Sequence, residues 1–92
     1  KAGAAVMGRR LRSLGNYHQV FCITHLPQIA SQADMHFLVE KCVTKKRTVT
    51  RVKRLDREER QDEIARMLGG LAITKAVRET AAEMIGEADR ER

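Results

Sequence analysis

Residues 20–30, VFCITHLPQIA, decide how the whole chain is read. Four apolar residues, Val20 to Ile23, run into Thr24 and His25, and Pro27 then stops the extended backbone. Apolar side chains in consecutive positions mark a strand covered on both faces, as in a parallel sheet, so His18 to Thr24 is predicted to be a buried strand. Leu26 precedes a proline and is biased to extended geometry, whereas Pro27 suits the first position of a short helix from Pro27 to about Gln32. His25 therefore falls at a sheet rim, where open α/β folds place ligands, and just ahead of a helix start whose free N–H groups favour an anion. The plain alternative is a loop histidine bonded to backbone.

Working outward, Ala5, Val6, Leu11 and Leu14 partly fit one helical face, with Arg9, Arg10 and Arg12 elsewhere. The spacing predicts an amphipathic helix from Ala2 to Leu14 that stops at Gly15-Asn16. Downstream, Met35 to Cys42 and Arg47 to Leu55 are rich in β-branched and aromatic residues and lack helix caps. They read as two strands around Thr44-Lys45-Lys46, with uncertain register because "TVTRVKRL" alternates imperfectly. Asp56 followed by Glu59 resembles a capping box, and Ile64, Met67, Leu68 and Leu71 recur at helical spacing before Gly69-Gly70 breaks the backbone. Thr74 can cap a last helix whose stripe is Val77, Ala81, Met84, Ile85 and Ala88, with "EADRER" fraying as a polar end. The order is helix, strand, short helix, hairpin, helix, helix. A strand with two apolar faces lacks its neighbours here, so residues 1–92 read as one partial α/β domain, its sheet incomplete on its own.

Ninety-two residues allow one small core, and with Phe21, Phe37 and Tyr17 as the only aromatics that core must be aliphatic. The longest apolar runs are far short of a membrane span and no charged-then-apolar leader opens the chain, so a soluble intracellular protein is expected. Cys22 and Cys42 make no disulfide framework, and reduced thiols are the default. The net charge of +6 is uneven: residues 1–55 hold 11 of the 18 Lys+Arg but 2 of the 12 Asp+Glu, which leaves 7 and 10 for residues 56–92.

Three sets of residues could carry chemistry. His25 is the first. Cys22, His25, His36 and Cys42 give C-x2-H and H-x5-C, but Cys22 and His25 lie an odd number of residues apart on the expected strand and face opposite ways. The half-motifs also do not match common zinc spacings. No metal site is expected; Cys22 reads as a small core residue, and His18 and His36 as strand-surface histidines. The third set is the basic run from Lys41 to Arg57, with Lys45, Lys46, Arg47 and Arg51 at its centre. It could follow a phosphate backbone, as in a stand-alone basic DNA-binding module using the 41–57 hairpin. Lysine-rich turns equally keep strand edges from aggregating. No G-x4-G-K-[ST] loop occurs, no Asp-Glu pair closes an apolar strand, and no Ser-His-Asp set suggests itself, so this chain cannot bind and hydrolyse a nucleotide unaided. Met67 and Met84 lie on helical stripes and read as core.

At "FCITHLPQIASQADMHFLVEK", then "ARMLGG" and "ITKAV", the chain closely resembles the C-terminal end of the RecN family of bacterial DNA-repair proteins, SMC-like proteins with an ABC-type ATPase head. The likeness runs over nearly the whole chain and is most specific in "THLPQIA". It implies the C-terminal lobe of an ABC/SMC-type P-loop ATPase head, with a β-hairpin and two C-terminal helices. It also implies that His25 matches a switch histidine that contacts the γ-phosphate of ATP and helps position the attacking water, with Thr24 and Gln28 in supporting roles. The phosphate loop, the signature motif and the acidic strand holding Mg²⁺ would lie earlier in the parent protein. ATP and Mg²⁺ as cofactors follow from the resemblance. So do the remainder of the head, a second head in an ATP-dependent homodimer and DNA as partners, and a role in double-strand-break repair by recombination in the bacterial cytoplasm at the nucleoid.

Overall fold

The computed structural model describes residues 2–91. It is a mixed α/β chain: α1 (Ala2–Leu14), α2 (Pro27–Ala30), β1 (Phe37–Thr44), β2 (Arg47–Arg54), α3 (Arg57–Gly69) and α4 (Lys75–Arg90). Lys1 and Arg92, the first residue of the chain and the last of the "EADRER" end, lie outside the described residues.

The core sits between the two C-terminal helices. Ile64 and Ala65 of α3 meet Ala81 and Ile85 of α4, all fully buried, and Ala30 of α2 closes the cluster with Met67, Val77 and Met84 packed around it. The expected stripes of both helices are thus the faces that pack, and the two methionines line the core. Leu68 and Leu71 are the exceptions: Leu68 is exposed near the end of α3, and Leu71, beyond the helix end at Gly70, stands fully in solvent. Local signals set the ends of both helices. The Glu59 amide donates to Asp56 Oδ1 at 2.8 Å and the Asp56 amide donates back to Glu59 Oε1 at 3.0 Å, a complete capping box. Gly70, with φ of +64°, takes the backbone conformation that a side chain would strain, and its N–H donates to Arg66 O. The Val77 amide donates to Thr74 Oγ1, capping α4 as the sequence predicts. The helices run antiparallel, with Arg57 at the start of α3 bound to Asp89 near the end of α4 at 2.7 Å, and Gly69 against Val77 at the other end. The polar end is therefore not frayed as expected: α4 continues to Arg90, because Ala88 is buried and Asp89 is tied to α3.

β1 and β2 form an antiparallel hairpin with Thr44 opposite Arg47 and Lys45-Lys46 as its two-residue turn. Leu38 and Cys42 are half-buried on the side that also carries Glu40, whereas Phe37, Val39 and Val43 on the other side are exposed. Leu38, Glu40 and Lys53 of the hairpin share a shallow groove with Glu59, Glu63 and Arg66 of α3, and a Lys53–Glu59 ion pair crosses it.

The largest difference from expectation lies in the stretch that decides the fold. Residues 19–24 belong to no strand or helix, and the hairpin is the only sheet among the described residues. Phe21 is 83% exposed and Ile23 fully so, and Cys22 is exposed rather than a core residue. A strand exists through its ladder partners, and no other segment here offers its backbone to this one, so the apolar residues stay uncovered. Two smaller corrections have similar causes. Val6, Met7 and Leu14 of α1 border an open groove, while Gly8 is the one buried position among those of that helix whose burial is described. His36 is not a surface residue of a strand; it precedes β1, is half-buried and has Nδ1 enclosed without a hydrogen-bond partner.

Candidate functional site

His25 lies in a bend between the irregular segment 19–24 and α2, and it is exposed. Its two flanks are held. Before it, Thr24 is half-buried, and its Oγ1 accepts a hydrogen bond from the Leu26 amide at 3.0 Å, closing a short side-chain turn around His25. After it, Pro27, Ile29 and Ala30 are buried, and the Leu26 carbonyl accepts from the Ile29 and Ala30 amides at 3.1 and 3.0 Å. A proline with fixed φ at the first helical position and three buried side chains in four residues make α2 a firm base. The imidazole is thus displayed from an anchored turn, with Gln28 half-buried on the first turn of α2.

The anion cradle expected at the start of α2 is largely used up internally. Pro27 has no N–H, and the amides of Leu26, Ile29, Ala30 and Ser31 donate to Thr24 Oγ1, Leu26 O, Leu26 O and Pro27 O. What the turn offers a ligand is the His25 side chain. Among the described residues no group of His, Cys, Asp or Glu could hold a metal ion.

α2 is seated on two neighbours. On one side Gly8 of α1 lies so close that a Cβ there would come within 2.9 Å of Gln28 O and 3.1 Å of Gln32 Cγ. One turn later on the same face, Arg12 Nη1 donates to Gln32 Oε1 at 2.9 Å and to the Ala88 carbonyl near the C-terminus of α4. On the other side, buried Arg60 of α3 donates through Nη2 to Ala33 O at 3.1 Å and to Ser31 O at 3.4 Å, fastening the chain that leaves α2. The positions of Gly8, Arg12 and Arg60 are not legible from composition or charge. A glycine inside the helical pattern 2–14 is the one signal that points to a close packing contact.

The basic residues gather at the other end of the hairpin. Lys45 and Lys46 form its exposed tip; Arg47 and Arg51 share one face of β2, also exposed. Arg51 stands directly opposite Glu40, so one of these four cations faces a carboxylate. Nearer the base, Lys53 is held above its ordinary pKa by its hydrogen bond to Glu59. Glu59 is held below its own by the Asp56 amide first and Lys53 second. At the joint between the hairpin and α3, burial pushes the His36 pKa down; the nearby Arg60 guanidinium adds to this and Glu63 opposes it.

No family model matches the chain. Individual proteins do. The DNA repair protein RecN of Xylella fastidiosa (strain 9a5c) is 44% identical over 84 residues, which cover 91% of this chain and 15% of that protein. RecN of Rickettsia conorii is 46% identical over 79 residues, 86% of this chain and 14% of that protein. The chain belongs to the RecN family. RecN of Bacillus subtilis (strain 168) is 38% identical over 87 residues, 95% of this chain and 15% of that protein. The chain thus spans about 15% of the length of the curated RecN relatives it matches and corresponds to their C-terminal part.

Proposed function

We propose that this chain is the C-terminal lobe of an ABC/SMC-type ATPase head in a DNA repair protein, and that His25 is its contact to the γ-phosphate of ATP. The observation that carries this reading is the mounting of His25: an exposed imidazole in a bend whose flanks are fixed by the Thr24–Leu26 hydrogen bond and by buried α2. The names and identities of the RecN relatives support the DNA repair role.

The residues present do not form a complete nucleotide site. Under this reading Mg²⁺ and the phosphate loop are supplied by the remainder of the head. What this chain contributes is positioning. Phosphoryl transfer depends mainly on alignment and on donors placed where charge develops, and a histidine on a rigid turn supplies one such donor without reorganising. Thr24 acts through the Leu26 amide to fix the bend, and Gln28 stands at the base of the same turn. The exposed apolar residues Phe21 and Ile23 then find their cover in sheet neighbours from the rest of the head. Under the same reading a second head completes the ATP site in a homodimer, Lys45, Lys46, Arg47 and Arg51 meet DNA phosphates, and the protein works in recombinational double-strand-break repair at the bacterial nucleoid in the cytoplasm. No helix of the described residues is long and apolar enough to cross a membrane. A stand-alone DNA-binding hairpin is not favoured, since the likeness to RecN proteins extends well beyond residues 41–57 on both sides.

The test is His25→Ala in a full-length RecN protein carrying this segment. ATP turnover falls far more than ATP binding if the reading holds. Unchanged turnover would end the role given to His25.

A further inference from the structure

We infer that the Gly8–Arg12 face of α1 is a positioning seat for His25, acting through the backbone of α2. The inference rests on the reading of His25 given above.

Three observations meet at this face. Gly8 is buried in the middle of α1, and a Cβ at that position would stand 2.9 Å from the Gln28 carbonyl oxygen and 3.4 Å from Ile29 Cα. The nearest obstacle is backbone rather than the end of a flexible side chain, so an added methyl cannot be accommodated by a rotamer change; α2 itself must move. Four residues on, Arg12 Nη1 holds Gln32 Oε1 at 2.9 Å and reaches the Ala88 carbonyl, while Gln32 Nε2 donates to Glu91 Oε1 at 3.2 Å. One guanidinium thereby fixes the end of α2 against both α1 and the last turn of α4. Arg12 Nη2 is enclosed without a hydrogen-bond partner, a cost that the other contacts of the side chain must offset. The third observation is the short, stiff path from α2 to His25. It runs through Pro27 and Leu26, whose amide is pinned to Thr24 Oγ1 and whose carbonyl accepts from Ile29 and Ala30. A shift of α2 is therefore delivered to the imidazole rather than absorbed by a loop.

Helix propensity does not account for a glycine here. Alanine in the interior of α1 is preferred to glycine by about 1 kcal/mol, so Gly8→Ala strengthens α1 as a helix and its harm falls on the contact with α2. Misplacing a catalytic group by about 1 Å costs on the order of a hundredfold in rate, and the displacement needed here is a fraction of that.

The test is a double-mutant cycle in a full-length RecN protein carrying this segment, measuring ATP turnover and ATP binding for Gly8→Ala, His25→Ala and the pair. Gly8→Ala is expected to lower turnover roughly tenfold and leave ATP binding within about twofold. In the His25→Ala background it is expected to lower turnover no further, because a positioning residue has nothing left to position. A merely structural role would instead cut turnover equally in both backgrounds, and that result overturns the inference. Wild-type turnover in Gly8→Ala beside strongly impaired His25→Ala overturns it too, while leaving the reading of His25 intact. Turnover untouched by His25→Ala overturns that reading and this inference with it. Should Gly8→Ala lose its folded circular dichroism, Arg12→Met, which keeps the apolar stem and removes both hydrogen bonds, takes its place in the cycle under the same criteria.

Discussion

Phe21 and Ile23 give the proposed lobe its sharpest test, because their effect on stability should depend on how much of the protein surrounds them. In this chain Phe21 is 83% exposed and Ile23 fully so. Truncating residues that touch little changes stability by no more than about 0.5 kcal/mol, and that is the expectation for Phe21→Ala and Ile23→Ala in the 92-residue chain. If a parallel sheet of the complete head covers residues 19–24 on both faces, the same truncations fall in a core. There Phe→Ala costs about 3–5 kcal/mol and Ile→Ala about 2–5 kcal/mol. Amide hydrogen exchange reads the difference locally, which matters because a multidomain protein has no single unfolding free energy. Amides of residues 19–24 should exchange freely in the isolated chain and be protected in the full-length protein. Each substitution should lower that protection at least about thirtyfold, the equivalent of roughly 2 kcal/mol. Free exchange of these amides in the full-length protein, or equal effects of the substitutions in both contexts, would refute the reasoning.

Two further outcomes follow from the packing and the charges. Ile85→Ala, at a fully buried position between α3 and α4, should destabilise the chain by about 2–5 kcal/mol, whereas Leu71→Ala, fully exposed, should change it by under about 0.5 kcal/mol; chemical denaturation of the two variants checks this. The depressed pKa of His36 means that the folded state holds its proton less tightly than the unfolded chain does. Stability should then be full above the ordinary histidine value of about 6.5 and fall as the pH drops below it. His36→Asn should flatten that part of the stability–pH curve, and an unchanged slope would show that another group is responsible.

Much of this was legible in the sequence wherever a local rule decides. The Asp56–Glu59 capping box, the Thr74 cap, the Gly70 stop and the stripe from Val77 to Ala88 concern atoms within a turn or two of each other, and each stands where the pattern puts it. The hairpin was readable from β-branched residues, and its ends shifted by two residues at most at either side. Long-range features were not readable. The apolar run at Val20–Ile23 predicts burial on two faces, but strand formation needs a partner backbone, none is present among the described residues, and Phe21, Cys22 and Ile23 stand exposed. Likewise α1 packs through Gly8 rather than through Val6 and Leu14, since close approach of two backbones favours the smallest side chain, and hydrophobic periodicity is blind to that. The His25 turn was half legible. The proline-led helix is where expected, but His25 stands in a bend rather than at a sheet rim, and the helix amides expected to await an anion are spent on Thr24, Leu26 and Pro27.

The most direct measurement is the structure of a full-length RecN protein carrying this segment, with a non-hydrolysable ATP analogue and Mg²⁺ bound. A His25 ring nitrogen within hydrogen-bond reach of a γ-phosphate oxygen, roughly 2.6–3.2 Å, is the predicted result. An imidazole turned away from the nucleotide, with another side chain against the terminal phosphate, would contradict it.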